Sequence, residues 1–453
     1  MKLTERISQN GEASAVPLRS LAEVSQRAPK DPRKDRFYEL KSAVHQRLLE
    51  TLDVSRLETL EAHVASSKVT QAVSDILDED RRLITEVDRQ RLISEVNNEL
   101  LGLGPLEPLL WDGDITDILV NGHDHIYVEK HGKLHRIDIS FRDNHHLMLI
   151  IDRIVSQVGR RVDEGSPMVD ARLPDGSRIN AIIPPLALDG PALSIRRFGH
   201  RRYDIAALVE NGSLTREMVE FLFAAIRARL SILVCGGTGS GKTTMLNCLS
   251  AFVPEDERIV TIEDSAELSL QQPHVVRLET RTANLEGKGE ITARDLVRNC
   301  LRMRPDRIVV GEVRGAEVID MLQAMSTGHD GSISTIHSNS PRECLARLEM
   351  MMLLSGFSIP QRAMRQQIAG AINLIVHVSR LSDGSRKVMK IAEISGMEGD
   401  AVMMQDLFEF KRTGVNAMGK IMGAFQATGI RSSYAERIEI GGYRLPSLLR
   451  GLD

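Results

Sequence analysis

One eight-residue stretch limits the fold more than any other part of the chain. Gly236-Gly237-Thr238-Gly239-Ser240-Gly241-Lys242-Thr243 fits G-x-x-x-x-G-K-[ST] at every fixed position. The β-prone run Ile232-Leu233-Val234 precedes it, and a helical stretch from Thr244 to Phe252 follows. This context predicts a strand, a phosphate-wrapping loop and a helix whose N-terminus, opened by Thr244, adds positive dipole. Lys242 is placed to meet the β- and γ-phosphates of ATP, and Thr243 to help hold Mg²⁺. A loop of this kind belongs in an α/β sheet, and the chain beyond Thr215 alternates helices with short apolar runs as such a sheet requires. Strands are expected at Ser231–Cys235, Arg258–Ile262, Val275–Leu278, Arg307–Val310, Gly331–His337 and Leu374–Val378.

A phosphate cradle needs acids at the ends of neighbouring strands, where doubly wound sheets hold their ligands. Arg307-Ile308-Val309-Val310-Gly311-Glu312 is a buried-strand pattern ending in an acid, so Glu312 is the candidate for Mg²⁺, directly or through water. Ile259-Val260-Thr261-Ile262 runs into Glu263-Asp264-Ser265-Ala266-Glu267. Glu263 is the first choice to polarise the attacking water, with Asp264 and Glu267 as rivals. His329 and His337 flank a strand of small residues and suit sensing of the γ-phosphate. With no third ligand beside them, they do not read as a metal site.

Upstream, residues 1–35 carry no apolar period and read as a disordered arm. Residues 36–104 show helical spacing (Leu40, Val44, Leu48, Leu52, then Leu57, Leu60, Val64, and again from Leu83 to Leu100) and end at Gly102-Leu103-Gly104-Pro105. Residues 105–200 mix short strands and turns, including Asn121-Gly122 and Pro174-Asp175-Gly176, with a helix over Leu147–Val158. They read as a smaller α+β domain. Residues 199–204 read as a hinge. Residues 201–453 form the ATP-binding domain with a helical C-terminal part.

The formal charge is −4, with 58 basic and 62 acidic residues, so bulk electrostatics give no reason to expect nucleic acid as a partner. Cys235, Cys248, Cys300 and Cys344 are scattered and suggest neither zinc nor disulfides. No apolar run approaches the roughly 18–20 residues of a membrane span. A cytoplasmic protein, recruited to a membrane through partners, is the expectation.

Taken together, the loop at 236–243, the acidic segment at 259–267, the strand at 307–312 and the histidine segment at 326–338 resemble the secretion ATPase superfamily. Its marks are a Walker A, an "Asp box", a Walker B with Glu and a "His box", in that order. The resemblance covers about residues 100 to 380. Gly102-Leu103-Gly104-Pro105-Leu106-Glu107, Asp117-Ile118-Leu119-Val120-Asn121-Gly122 and the helical extension resemble the tight-adherence pilus (CpaF-type) branch. The tetracysteine motif of type II secretion ATPases is absent. The resemblance implies a RecA-like ATPase domain preceded by a PAS-like α+β domain, and a homohexamer with nucleotide between the two. It also implies work at the inner face of the inner membrane, against platform proteins of a pilus or secretion system. By position it makes Arg178 and Arg196 the arginines that reach the phosphates. Strand alternation favours Arg196 over Arg197, since the two must face oppositely.

Overall fold

In the computed structural model, residues 32–52, 60–80, 84–173, 175–198, 203–281, 283 and 288–449 are described. They divide into two compact units, Met1–Glu107 and Pro108–Asp453.

The first unit is helical. Helices α1 (Pro32–Thr51), α2 (Ala62–Glu79) and α3 (Glu86–Leu101) bury one stripe each. Leu40, Val44 and Leu48 meet Val69, Val73 and Leu77, with Leu92 and Val96 completing the core. The three to four residue spacing of these positions is what made the unit legible. The expected arm over 1–35 lies outside the described residues up to 31. Residues 32–35 depart from that expectation, because they open α1. Leu57 and Leu83 also lie outside the described residues.

The second unit contains two sheets. The smaller has six antiparallel strands: β1 (Ile115–Asn121), β2 (Ile126–Lys130), β3 (Lys133–Ile137), β4 (Met168–Arg172), β5 (Arg178–Ile182) and β6 (Ala192–Arg196), in the order β3-β2-β1-β6-β5-β4. Helix α4 (Asn144–Gln157) buries Leu147, Ile150, Ile151 and Ile154. This is the α+β domain of the sequence reading. The hinge expected at 199–204 falls largely on residues 199–202, outside the described ones.

The larger sheet has nine strands. These are β7 (Ile232–Gly236), β8 (Ile259–Glu263), β9 (Val275–Glu279), β10 (Arg307–Val313), β11 (Ile333–His337), β12 (Leu374–Arg380), β13 (Arg386–Glu398), β14 (Ala401–Val415) and β15 (Ile421–Ala427). Their order is β15-β14-β13-β12-β7-β11-β10-β8-β9. The six strands from β12 to β9 run parallel, and the apolar runs of all but the edge strand β9 are buried on both faces. One strand, β11, separates β7 from β10. This is the RecA-like order, in which the phosphate loop and the acid of the Walker B strand face a shared gap. The C-terminal part differs from the helical expectation. After the helices Pro341–Leu354 and Gln361–Ala371, residues 386–427 are antiparallel strands, followed by one short helix, Ala435–Ile440.

Candidate functional site

The loop after β7 feeds helix α5 (Lys242–Ser250). Gly241 sits at φ +98°, a conformation other residues adopt only under strain, and it turns the backbone into the helix. A Cβ on Gly236 would lie 2.3 Å from the Val378 carbonyl oxygen, so the loop can leave β7 only where no side chain intrudes. Lys242 Nζ donates to the carbonyls of Gly236 (3.1 Å) and Gly237 (3.2 Å) and lies 3.4 Å from a Glu312 carboxylate oxygen. Gly237, Thr238 and Gly239 form the outer rim, and Ser240 is buried with its hydroxyl unpartnered among the described residues. Thr243 and Thr244 are half-buried on the first turn of α5.

Glu312, on β10, receives 2.8 Å from Arg314 Nε in addition to the Lys242 contact. Burial pushes its carboxyl up, but Arg314 and Lys242 outweigh this and hold it below the usual carboxylate range. It is therefore an anion at neutral pH, as a cation ligand must be.

Glu263 ends β8 and is 4% exposed. One carboxylate oxygen accepts from the Glu267 (2.6 Å) and Leu268 (2.7 Å) N–H groups. The other, Oε1, is buried with no partner among the described residues. Burial outweighs the two N–H donors and raises the carboxyl above its ordinary value. A buried acceptor left unpaired costs about 1–3 kcal/mol, which a water or ligand proton would offset. Its rivals are engaged differently: Asp264 is exposed and 3.5 Å from Arg314, and Glu267 is half-buried.

His337 ends β11, in register with Gly236 at the end of β7. Burial, then the Lys242 charge, lowers its imidazole below the ordinary value, so it is neutral near pH 7. His329 is not brought to this site. It precedes β11, at the N-terminal end of the parallel strands and away from the phosphate loop at their C-terminal ends, because five extended residues span roughly 16 Å. There its carbonyl accepts from the Ser332 hydroxyl at 2.7 Å.

The two N-domain arginines lie in one cross-strand row. Arg172 pairs with Arg178, Arg178 with Arg196, Arg196 with Asp117, and Asp117 with Glu129. Directly opposed residues of antiparallel strands share a face. Both ends of the row touch the larger sheet's domain. Arg172 donates to Glu279 (2.9 Å) and to the Ala266 carbonyl (2.5 Å), beside the Glu263 loop. Glu129 pairs with Arg380 (3.2 Å) and Arg386 (3.9 Å), and Arg386 Nε donates to the Gly239 carbonyl of the phosphate loop (2.9 Å). Arg178 and Arg196 thus lie between two anchors, on the face that looks toward the phosphate loop's domain. Arg178 has a loose contact with Asp170 at 3.6 Å. Arg196 is exposed and makes no ion pair among the described residues, whereas Arg197 is buried and donates to the Asp112 and Ile115 carbonyls.

Arg172, Glu129, Arg380 and Arg386 escaped the sequence reading. Their partners are about a hundred or more positions away, and no local sequence signal joins them.

The fold and the site define a P-loop ATPase of the RecA-like class. The family model described as "Type II/IV secretion system protein" matches residues 99–424, and the chain belongs to that family. A "Putative conjugal transfer protein" of Mycobacterium tuberculosis is 43% identical over 310 residues, 67% of this chain and 88% of the relative. The "Type IV secretion system protein VirB11" of Brucella suis is 31% identical over 303 residues, 61% of this chain and 84% of the relative. Among solved structures, the VirB11 ATPase of the Brucella suis type IV secretion system, in complex with sulphate, is 29% identical. It covers 63% of this chain and 94% of that one at a TM-score of 0.35. No helix among the described residues is long and apolar enough to cross a membrane.

Proposed function

We propose that this ATPase is a homohexameric motor at the cytoplasmic face of the inner membrane, turning ATP hydrolysis into work on a pilus or protein secretion machine. The observation that carries this is the meeting of Lys242, Glu312 and His337 at the ends of β7, β10 and β11, with Glu263 ending the neighbouring β8 and a second domain anchored to this one through Arg172 and Glu129. The loop N–H groups and Lys242 hold the β- and γ-phosphates. The Thr243 hydroxyl and the ionised Glu312 suit Mg²⁺, which when bound would neutralise charge on the phosphates. Glu263 holds the attacking water through its unpartnered oxygen and takes up its proton, which a carboxyl of raised affinity does well. Arg178 and Arg196 neutralise the transferring phosphoryl group, so that occupancy draws the N-domain onto the ATPase domain.

The relatives' names favour a second cargo within the same class, DNA or effector protein moved by a conjugation or type IV secretion system. The tight-adherence reading rests instead on residues 102–107 and 117–122 and on the helical first unit, most of which precedes the matched region. Steady-state ATP turnover and particle mass, measured with and without single- and double-stranded DNA, separate these. A six-subunit mass with turnover indifferent to DNA supports the secretion or pilus motor. Strong stimulation by DNA moves the reading to a nucleic-acid motor.

A further inference from the structure

The edge of the large sheet carries a hairpin whose chemistry the ATPase site does not use. Strands β14 and β15 pair from Phe408 with Ala427 to Val415 with Ile421. The root is packed: Phe408 and Phe410 are buried, and the Phe410 and Phe425 rings lie 4.9 Å apart. Beyond Phe410 all of 411–415 are exposed, so this arm has no buried face, unlike a strand that covers a core. The tip is nonetheless well formed. Asn416 Oδ1 accepts from the Met418 (3.0 Å) and Lys420 (2.9 Å) N–H groups, and Gly419 takes φ +74°. Asp383 steadies the arm by accepting from the Ile421 N–H at 2.9 Å.

Two chemistries are layered along it. At the end stand Val415 (65% exposed), Met418 (81%) and Met422 (50%). Around them are Lys411, Arg412 and Lys420, none with an ion pair among the described residues. No acidic residue occurs between Glu409 and Glu436, although the whole chain is net acidic. An apolar tip ringed by cations matches the boundary of an anionic bilayer, where acyl chains lie beneath a layer of phosphates. No aromatic occurs from 411 to 424 on which a nucleic-acid base could stack.

The geometry points to direct contact of the hairpin 411–422 with an anionic lipid surface, its apolar tip at the acyl boundary and its three cations among the headgroup phosphates. Recruitment to a membrane then does not depend on protein partners alone. Flotation of the full chain with phosphatidylcholine vesicles, with and without phosphatidylglycerol, tests this. Wild type is expected to float with the anionic vesicles, less so at high salt, and not with the neutral ones. Met418→Asp with Val415→Asp, and separately Lys411→Glu with Arg412→Glu, each weaken flotation about tenfold or more, with particle mass and ATP turnover in solution unchanged. Wild type that fails to float, or variants that float like wild type, overturn the assignment. So does a loss of flotation accompanied by a change in particle mass, which would seat the hairpin on a second copy, or capture of duplex DNA in place of vesicles. Turnover is read in the same samples, so failure of the ATPase reading would show separately.

Discussion

Replacing Glu263 by glutamine changes the reacting group while leaving its surroundings almost intact. The amide oxygen can accept both N–H bonds that Glu267 and Leu268 now give to Oε2. The amide nitrogen then falls where the buried, unpartnered Oε1 lies. One unpaired polar atom is exchanged for another of similar cost, and a buried charge disappears. The melting temperature should therefore hold or rise. Chemistry should suffer, because no base remains to take the water proton. Loss of a positioned general base costs about 10²–10⁴ in rate, or roughly 3–5 kcal/mol of barrier. ATP contacts come from the loop, so KM should move little while kcat carries the loss. Burial raises the Glu263 carboxyl, and the base must be ionised to act. Wild-type kcat should therefore fall as pH drops through a value above the ordinary glutamate range, and the residual rate of Glu263→Gln should lack that limb. A glutamine variant within tenfold of wild-type kcat, or an unchanged acid limb, would refute the assignment and return Glu267 and Asp264 to candidacy.

Lys242→Ala should abolish turnover with the fold intact by circular dichroism; wild-type-like turnover would sink the phosphate-site assignment. Arg196→Ala should reduce kcat far more than nucleotide affinity. Arg197→Ala, by removing the buried donor to the Asp112 and Ile115 carbonyls, should instead lower the melting temperature. Glu257→Ala strands Arg307, which is wholly buried and also held by the Gly331 carbonyl, and should cost about 3–5 kcal/mol in denaturant unfolding. Burial pushes Glu257 up, but Arg307 and Arg229 outweigh it and depress the carboxyl. The pair's contribution is thus complete above the ordinary glutamate value and is lost as pH falls through the lower, folded one, a loss the variant should not show.

What could be read in advance follows the distance over which each feature is encoded. The phosphate loop is local: eight residues, a strand before and a helix after suffice. Alternation along a strand said only that Arg196 and Arg197 face oppositely, and the structure leaves Arg196 exposed and Arg197 buried. His329 shows the limit of the same logic. The two histidines were read as flanking one strand and sharing the γ-phosphate, but the length of that strand puts them at its opposite ends. The antiparallel extension was missed because burial is uneven along β13 and β14, and residues 411–415 are exposed whichever way they point, leaving no alternation to detect. The Glu129–Arg380–Arg386 contact joins residues about 250 positions apart, and no window along the chain contains it. Yet that contact gives the N-domain a purchase on the Gly239 carbonyl. A nucleotide that draws Arg380 and Arg386 toward its phosphates must compete with Glu129 for them. Under the proposed function, release of these arginines from Glu129 is what would couple the smaller domain to the nucleotide, so Glu129→Gln should lower the nucleotide Kd read by titration calorimetry, and an unchanged Kd would refute the competition.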